Sequence, residues 1–248
     1  MEGTGLTRSR VEELGLDKVS VITADMIEGF TSIEGNAFYG CRGLRSIELP
    51  SSIVSIGDSA FCGCSCLTSV AIPNSVKIIG LFAFDCCHSL TSVTIPNSVT
   101  SIGYGAFSRC RSLVSVTIPD SVTRISSCAF SHCKFNQKKK TDKQGRIIAY
   151  KGFKSDLTCR GFQYKEGETY ELDFEPMFCR HGFHACLNPL DCFGYYYGWV
   201  GKEVVFHEVY LEGVSDENYD DSKVVAKKIT IGREITISEM ADIASGKK

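Results

Sequence analysis

The sequence carries no excess of charge of either sign and contains no long hydrophobic run. Its 248 residues include 27 basic and 29 acidic side chains, a formal net charge of -2, and 43% hydrophobic residues. Such values are not typical of disordered, collagen-like or strongly nucleic-acid-binding proteins. No segment reaches the roughly 18 apolar residues of a membrane span, and the first residues lack the apolar core of a signal peptide. We therefore predict a cytoplasmic protein that contacts neither membranes nor nucleic acids, while its oligomeric state stays open.

Catalytic signatures are also scarce. No nucleophile–base pair, phosphate-binding loop or convincing set of metal ligands can be assembled from the residues. The leading hypothesis is therefore a protein without a cofactor that recognises another protein, possessing no enzymatic activity of its own.

An alanine-phenylalanine pair recurs every 23 residues. It stands at Ala37-Phe38, Ala60-Phe61, Ala83-Phe84, Ala106-Phe107 and Ala129-Phe130. Other columns share this period: Cys41, Cys64, Cys87, Cys110 and Cys133; Leu44, Leu67, Leu90 and Leu113; Pro50, Pro73, Pro96 and Pro119. A fixed period of this length indicates one supersecondary unit copied along an axis, each copy burying its apolar face against the next. The preceding residues 8–33 predict a short helix and a strand that cap the first copy.

The repeat, Ala-Phe-x-x-Cys-x-x-Leu-x-x-Val-x-Ile-Pro, resembles the BspA-like subclass of leucine-rich repeats over residues 33–133. The resemblance implies an α/β leucine-rich-repeat solenoid with short parallel strands formed by the Leu-x-x-Val-x-Ile segments. Beyond it we expect a small α+β domain, because short strand-like runs and one helical segment at 188–197 follow. The predicted domains are a cap plus repeats at 1–133, a Lys-rich linker at 134–145 and the α+β domain at 146–248. The source would be a bacterium or a phage, and the protein an adaptor, effector or inhibitor.

The outward columns of the predicted strands carry mainly hydroxyl groups. A Ser/Thr ladder of this kind is typical of a solvated, strand-favouring surface, and specific recognition is the alternative. A denser aromatic cluster lies in the second half. The candidate protein-binding residues are Arg45, Glu48, Thr68, Thr91, Thr94, Thr117, Tyr195 and Trp199.

Thirteen cysteines raise the question of disulfides or metal. Five of them occupy the repeat column, which indicates stacked, buried thiols instead of a disulfide framework. In the second half, Cys179, His181, His184 and Cys186 lie within eight residues. This spacing favours a strand with a partly buried histidine; a zinc site and a catalytic His184 are the alternatives.

The second half also resembles uncharacterised domains of bacterial and phage genomes, and the order of its elements is similar to ADP-ribosyltransferase folds. The resemblance rests on Tyr150-Lys-Gly-Phe153, Cys159-Arg-Gly-Phe-Gln-Tyr164 and the segment 182–196. It implies NAD as cofactor, with Lys151-Gly152 at the dinucleotide, His184 in the second strand, Tyr195 or Tyr196 on the nicotinamide and Glu234 as the catalytic acid. Lysine departs from the histidine or arginine of that family, and no Ser-Thr-Ser run follows Gly182. An ADP-ribosyltransferase-like enzyme or a nucleotide-binding module is thus the alternative function.

Overall fold

The structure is a computed structural model that describes residues 4–135, 139–174, 176, 182–195, 204–215 and 222–247. Its first part consists of very short strands separated by turns. The elements are β1 (Thr4–Leu6), α1 (Arg8–Glu13), β2 (Val21–Ile22), β3 (Phe30–Ile33), β4 (Ser46–Glu48), β5 (Ser55–Ile56), β6 (Ser69–Ala71), β7 (Ile78–Ile79), β8 (Ser92–Thr94), β9 (Ser101–Ile102), β10 (Ser115–Thr117) and β11 (Arg124–Ile125), with 3-10 turns at Leu16–Lys18 and Ala24–Ile27. The predicted helix and strand before the first repeat are confirmed as α1 and β2.

Two sets of parallel strands run through the repeats. One follows the order β2-β4-β6 and continues with the pair β8-β10. These strands are the predicted Leu-x-x-Val-x-Ile segments, and Val93 lies opposite Val116 one period later. The other set follows the order β1-β3-β5-β7-β9-β11 and was not predicted, because most of its members are only two residues long.

Stacked side chains fill the space between the two sets. The rings of Phe38 and Phe61 lie 5.2 Å apart at an interplanar angle of 4°, and this arrangement continues through the later repeats. Four of the five column thiols, those of Cys64, Cys87, Cys110 and Cys133, donate a hydrogen bond to the phenylalanine carbonyl of the preceding repeat, as Cys64 does to Phe38 at 3.1 Å. The column cysteines are buried and free. The prediction of a buried thiol column is confirmed.

Every repeat also places two residues in the left-handed region of backbone conformation. The first column holds Asn36, Ser59, Phe82, Gly105 and Cys128; the second holds Gly40, Gly63, Cys86, Arg109 and His132. Only glycine adopts this conformation without steric cost, so the other members are tolerated because the stacked repeat fixes their backbone.

The second part is an antiparallel, barrel-like sheet. Its elements are β12 (Lys140–Thr141), β13 (Ile147–Lys154), β14 (Thr158–Cys159), β15 (Phe162–Gln163), β16 (Thr169–Glu171), β17 (Phe183–Cys186), a 3-10 helix (Pro189–Gly194), β18 (Val204–Val214), β19 (Lys223–Ile235) and α2 (Ile237–Ala244). Strand β13 pairs with β17 and β18, and β19 pairs with the same two strands, so four strands close a ring.

Two predicted segments of this part have a different structure from the one expected, and one helix was not expected. The segment predicted as a helix at 188–197 is a 3-10 helix that ends at Gly194, although Asn188 caps its start as expected, accepting from the amide of Leu190. The predicted linker at 134–145 contains β12, which pairs with β13. The closing helix α2, which has a complete capping box between Thr236 and Glu239, was not predicted.

Helix α2 packs against the last repeat. The Ser245 hydroxyl accepts from the Val116 amide at 2.9 Å and donates to its carbonyl at 3.0 Å, so it occupies the free edge of β10. The Lys247 ammonium donates to the Thr117 hydroxyl at 2.8 Å. Met240 is fully buried in the same apolar cluster as the repeats. An exposed strand edge invites pairing with other chains, and here the C-terminal helix covers it.

Among the described residues, none of the helices combines the length and the apolar character needed to cross a membrane. The cytoplasmic location stays a prediction.

Candidate functional site

A cleft of about 240 Å³ opens in the barrel-like sheet. It is lined by Tyr150, Lys151, Cys159, Arg160, Tyr164, Gly182, His184, Ala185, Cys186, Cys192, Tyr195 and Lys223. These residues come from β13, β17, β19, the β14–β15 hairpin and the 3-10 helix. Because neighbouring strands and a rigid turn hold the lining, the cleft is largely preformed.

The cleft lies where β13 and β17 separate. Strand β17 pairs with β19 over four residues, but with β13 only at Tyr150 and Cys186. Beyond that point the Lys151 ammonium donates a hydrogen bond to the His184 carbonyl at 2.9 Å. Lys151 is only 7% exposed. A lysine is therefore buried at the base of the cleft, where its side chain joins two strands.

His184 is held neutral by its surroundings. Burial is the main cause, and the charges of Lys223, Lys151 and Arg160 act in the same direction, so the pKa of the imidazole falls to about 4. Both effects disfavour the protonated ring. Burial and the three neighbouring cations together therefore favour the neutral imidazole.

Arg160 is placed by a tight hairpin. Thr158 and Cys159 pair with Gln163 and Phe162, which leaves a two-residue connection. Both connecting residues have positive φ, 49° at Arg160 and 80° at Gly161, as in a type I′ turn. An arginine in the left-handed region costs roughly 1 kcal/mol relative to the asparagine or glycine usual there.

Lys223 completes the cationic lining at the start of β19. Its ammonium lies 4.7 Å from the centroid of the Tyr195 ring. Among the lining residues that the structure describes, three carry basic side chains and none carries a carboxylate. Asp191 lies outside the lining, where it accepts hydrogen bonds from Ser222. The cleft is thus suited to an anionic ligand.

The structure brings together part of the predicted site. Lys151, His184, Cys186 and Tyr195 all line the cleft. Glu234 is exposed on β19 opposite His207 and does not line the cleft. Its catalytic role was implied by the resemblance to ADP-ribosyltransferase folds, which does not fix where along a long strand the acid lies.

The remaining predicted residues fall outside the described ranges. They are Tyr196, Trp199, Cys179 and His181. Within the described residues, no group of three or more His, Cys, Asp or Glu side chains is placed to hold a metal ion. Sequence reasoning missed Arg160 and Lys223; the dipeptide Arg160-Gly161 between two short strand-like runs is the signal that would have indicated the hairpin.

The predicted protein-binding face of the repeats is exposed. Arg45, Glu48, Thr68, Thr91, Thr94 and Thr117 are all accessible to solvent. The Thr68 hydroxyl donates to the Arg45 carbonyl at 3.0 Å, and the Thr117 hydroxyl accepts from Lys247. Part of this face is therefore engaged within the protein itself, and the binding role of these residues stays a prediction.

A second surface of the repeats was not predicted. Leu81, Phe82 and Tyr104 form what we call the apolar corner, in which the Phe82 and Tyr104 rings meet edge to face at 5.2 Å. Leu81 is 45% exposed. The equivalent position is Asp58 one repeat earlier and Ser127 two repeats later. An apolar group thus replaces the polar residues of this column in two consecutive repeats.

The corner is held by an unfavourable backbone conformation. Phe82 has φ +53°, which side chains of this size rarely adopt. Its ring covers Gly105 so closely that an added Cβ there would lie 2.7 Å from the ring. Glycine at 105 is therefore a steric requirement of the aromatic pair.

Comparison with known proteins agrees with the repeat geometry. The family described as "BspA type Leucine rich repeat region (6 copies)" matches residues 17–153. The chain belongs to the BspA-type leucine-rich repeat family. Residues 147–243 of this BspA-type protein match a "Domain of unknown function (DUF7666)". That match assigns no activity, so it gives no support to the resemblance to ADP-ribosyltransferase folds.

Solved structures match the repeats in part. A leucine-rich repeat protein of T. pallidum is 38% identical over 46% of this chain and 55% of its own, with a TM-score of 0.44. A leucine-rich cell surface protein from Faecalibacterium prausnitzii is 36% identical over 46% of this chain and 30% of its own, with a TM-score of 0.45. The BspA-type protein therefore spans about half or less of these chains. No curated protein matches it significantly.

Proposed function

We propose that the repeat region recognises another protein and that the apolar corner is its main contact. BspA-type repeats are consistent with a protein-interaction role. The observation that carries the proposal is the corner itself, where Leu81 and Tyr104 replace polar residues of the same column.

Two physical arguments favour the corner over the strand face. Binding energy at protein interfaces is concentrated in a few large side chains, aromatic residues above all, whereas serine and threonine contribute little. The described strand face presents mainly hydroxyl groups, and the corner presents an aromatic pair with a leucine beside it. A phenylalanine in the left-handed region costs free energy. Packing inside the repeats does not require a phenylalanine there, since Ser59 occupies the same position one repeat earlier.

The adaptor role predicted from the sequence is one form of this function. The repeats would select the partner, and the C-terminal sheet, packed on the last repeat through α2, would move with them.

The test compares two substitutions of matched exposure. Leu81→Asp charges the corner, and Val114→Asp charges the strand face at a valine that is 47% exposed. Each variant is immobilised beside the wild type and incubated with lysate of the source cells, and bound proteins are quantified over a range of lysate concentrations. Circular dichroism checks that both variants keep the fold.

We expect the wild type and Val114→Asp to retain the same saturable partner, and Leu81→Asp to lose it by about tenfold or more, the effect of placing a charge in a hot spot. If only Val114→Asp lost the partner, the interface would lie on the strand face. The absence of any saturable partner for the wild type would refute protein recognition.

A further inference from the structure

We propose that the cleft between β13 and β17 binds a small phosphate monoester, with Lys151, Arg160 and Lys223 contacting the phosphate group. This site is separate from the apolar corner and does not depend on the protein-recognition proposal.

The first argument is the burial of Lys151. Lysine is almost never fully buried unless its charge is paired, because removing an ammonium from water is costly. Within the described residues, the Lys151 ammonium donates to the His184 carbonyl, lies 5.8 Å from the Phe153 ring centroid, and forms no salt bridge. The carbonyl and the ring offset only part of the free-energy cost of burying the ammonium. An anion bound in the cleft would supply the opposite charge.

Three basic side chains from different elements converge on the cleft. Lys151 lies in the middle of β13, Arg160 at a hairpin tip and Lys223 at the start of β19. Two neighbouring elements and one distant in sequence thus direct cations toward one small space, although like charges repel each other. All three line the same cleft as His184, and after burial, the larger cause, their charges lower the pKa of its ring.

The charge of a phosphate monoester suits a lining with three basic side chains. A phosphate monoester carries about -1.5 to -2 at neutral pH, and its oxygens match the planar fork of an arginine. A monocarboxylate carries a single charge and therefore interacts less strongly with the basic side chains of the lining. The left-handed backbone of Arg160 is consistent with this role, because strained residues concentrate at binding sites.

Size and shape limit what else the ligand contains. At about 240 Å³ the cleft lies below the range of roughly 300 to 1,000 Å³ in which drug-sized ligands bind. A dinucleotide such as NAD is too large to enter it, whereas a phosphate with a short organic body fits. Tyr164 and Tyr195 offer apolar ring surface together with hydroxyl groups for that body.

The test measures binding to the full chain by isothermal titration calorimetry at low ionic strength. The probes are inorganic phosphate, glycerol phosphate as a small monoester, acetate and NAD. We expect saturable binding of both phosphates, with the monoester the tighter of the two, and weak or no binding of acetate and NAD. Acetate or NAD binding as tightly as the monoester would overturn the assignment, as would a wild type that binds neither phosphate.

Three variants tie the binding to the cleft. Lys151→Met keeps an unbranched side chain one atom shorter and removes its charge, and Arg160→Asn suits the left-handed backbone at that position. Lys165→Gln is the control, because Lys165 is an exposed lysine of the same sheet region, paired with Glu168, and does not line the cleft. Thermal unfolding of each variant confirms that it folds.

We expect Lys151→Met and Arg160→Asn each to weaken binding of the monoester by about tenfold or more, and Lys165→Gln by less than about twofold, as for loss of a direct and of a distant charge contact. Equal weakening in all three variants would show diffuse electrostatic attraction and would overturn the site. Wild-type affinity in folded Lys151→Met would do the same.

Discussion

The ammonium of Lys151 donates to the backbone carbonyl of His184 at 2.9 Å, and so connects two strands that pair only at Tyr150 and Cys186. The hydrogen bond holds β13 and β17 together at the point where the ladder between them stops. The pair is also coupled electrostatically, because the Lys151 charge, after burial and the charge of Lys223, lowers the pKa of the His184 ring.

The depressed pKa of His184 predicts a loss of stability in acid. Its pKa is about 4 in the folded chain, against an ordinary value of 6.5, so between these values the unfolded chain binds the proton and the folded chain does not. Stability should therefore fall as the pH drops from about 6.5 toward 4 and should be insensitive to this group at higher pH. The measurement is the thermal midpoint at about pH 7.5 and pH 5 for wild type and His184→Gln. The decrease should be smaller in the variant; an equal decrease would contradict the assignment.

Cys64 and Cys66, only two residues apart, should differ sharply in reactivity. Cys64 is fully buried, and burial raises the pKa of its thiol to about 12, whereas Cys66 is exposed. Alkylation requires an accessible thiolate, so the native protein should be modified at Cys66 and spared at Cys64. Limited treatment with iodoacetamide followed by peptide mass spectrometry measures both sites in one sample. Modification at equal rates would contradict the buried column, and unfolding in urea should abolish the difference.

The repeat half was predictable because every column repeats one environment several times. A phenylalanine at Phe38 and again at each later period implies a continuous buried stack, and the intervening proline marks where each strand ends. The second set of strands escaped prediction because two residues, such as Ser55–Ile56, carry no usable alternation. The apolar corner was not predicted because its residues depart from the repeat pattern, and the prediction relied on positions that conform to the pattern.

The C-terminal half was less predictable, because its sheet is built from long-range antiparallel pairs. Nothing in the local sequence shows that Lys151 pairs with His207, or that Arg160 and Lys223 reach the same cleft. Local rules still worked where the signal was local, as at Asn188, whose side chain caps the following turn. They could not place Glu234 relative to the cleft, because its position depends on the register of β18 and β19.

Gly105 should tolerate no side chain, because the Phe82 ring covers it. Gly105→Ala places a Cβ 2.7 Å from that ring and forces alanine to adopt φ +61°. We expect a loss of about 1 to 3 kcal/mol in the free energy of unfolding. Gly43→Ala is the control, since no atom lies within 4 Å of its added Cβ; its effect should stay within about 0.5 kcal/mol. Urea unfolding curves of both variants measure the difference. Equal stabilities would show that the ring moves aside freely.

The contact between Ser245 and Val116 should stabilise the last repeat. The hydroxyl satisfies both the amide and the carbonyl of Val116, at 2.9 and 3.0 Å. Ser245→Ala leaves both backbone groups without this partner and should cost about 1 to 2 kcal/mol. Ser69→Ala, on an exposed strand position in the middle of the array, is the matched control and should change stability by less than about 0.5 kcal/mol.

Amide hydrogen exchange locates the effect of that substitution. If α2 covers the free edge of β10, exchange at Val116 should accelerate in Ser245→Ala, while the amides of the earlier strands β4 and β6 keep their protection. An unchanged rate at Val116, together with unchanged stability, would show that the apolar burial of Met240 and its neighbours holds the helix in place without the hydroxyl. Uniform acceleration across the repeats would show instead that the array unfolds as one cooperative unit whose stability is set at its C-terminal end.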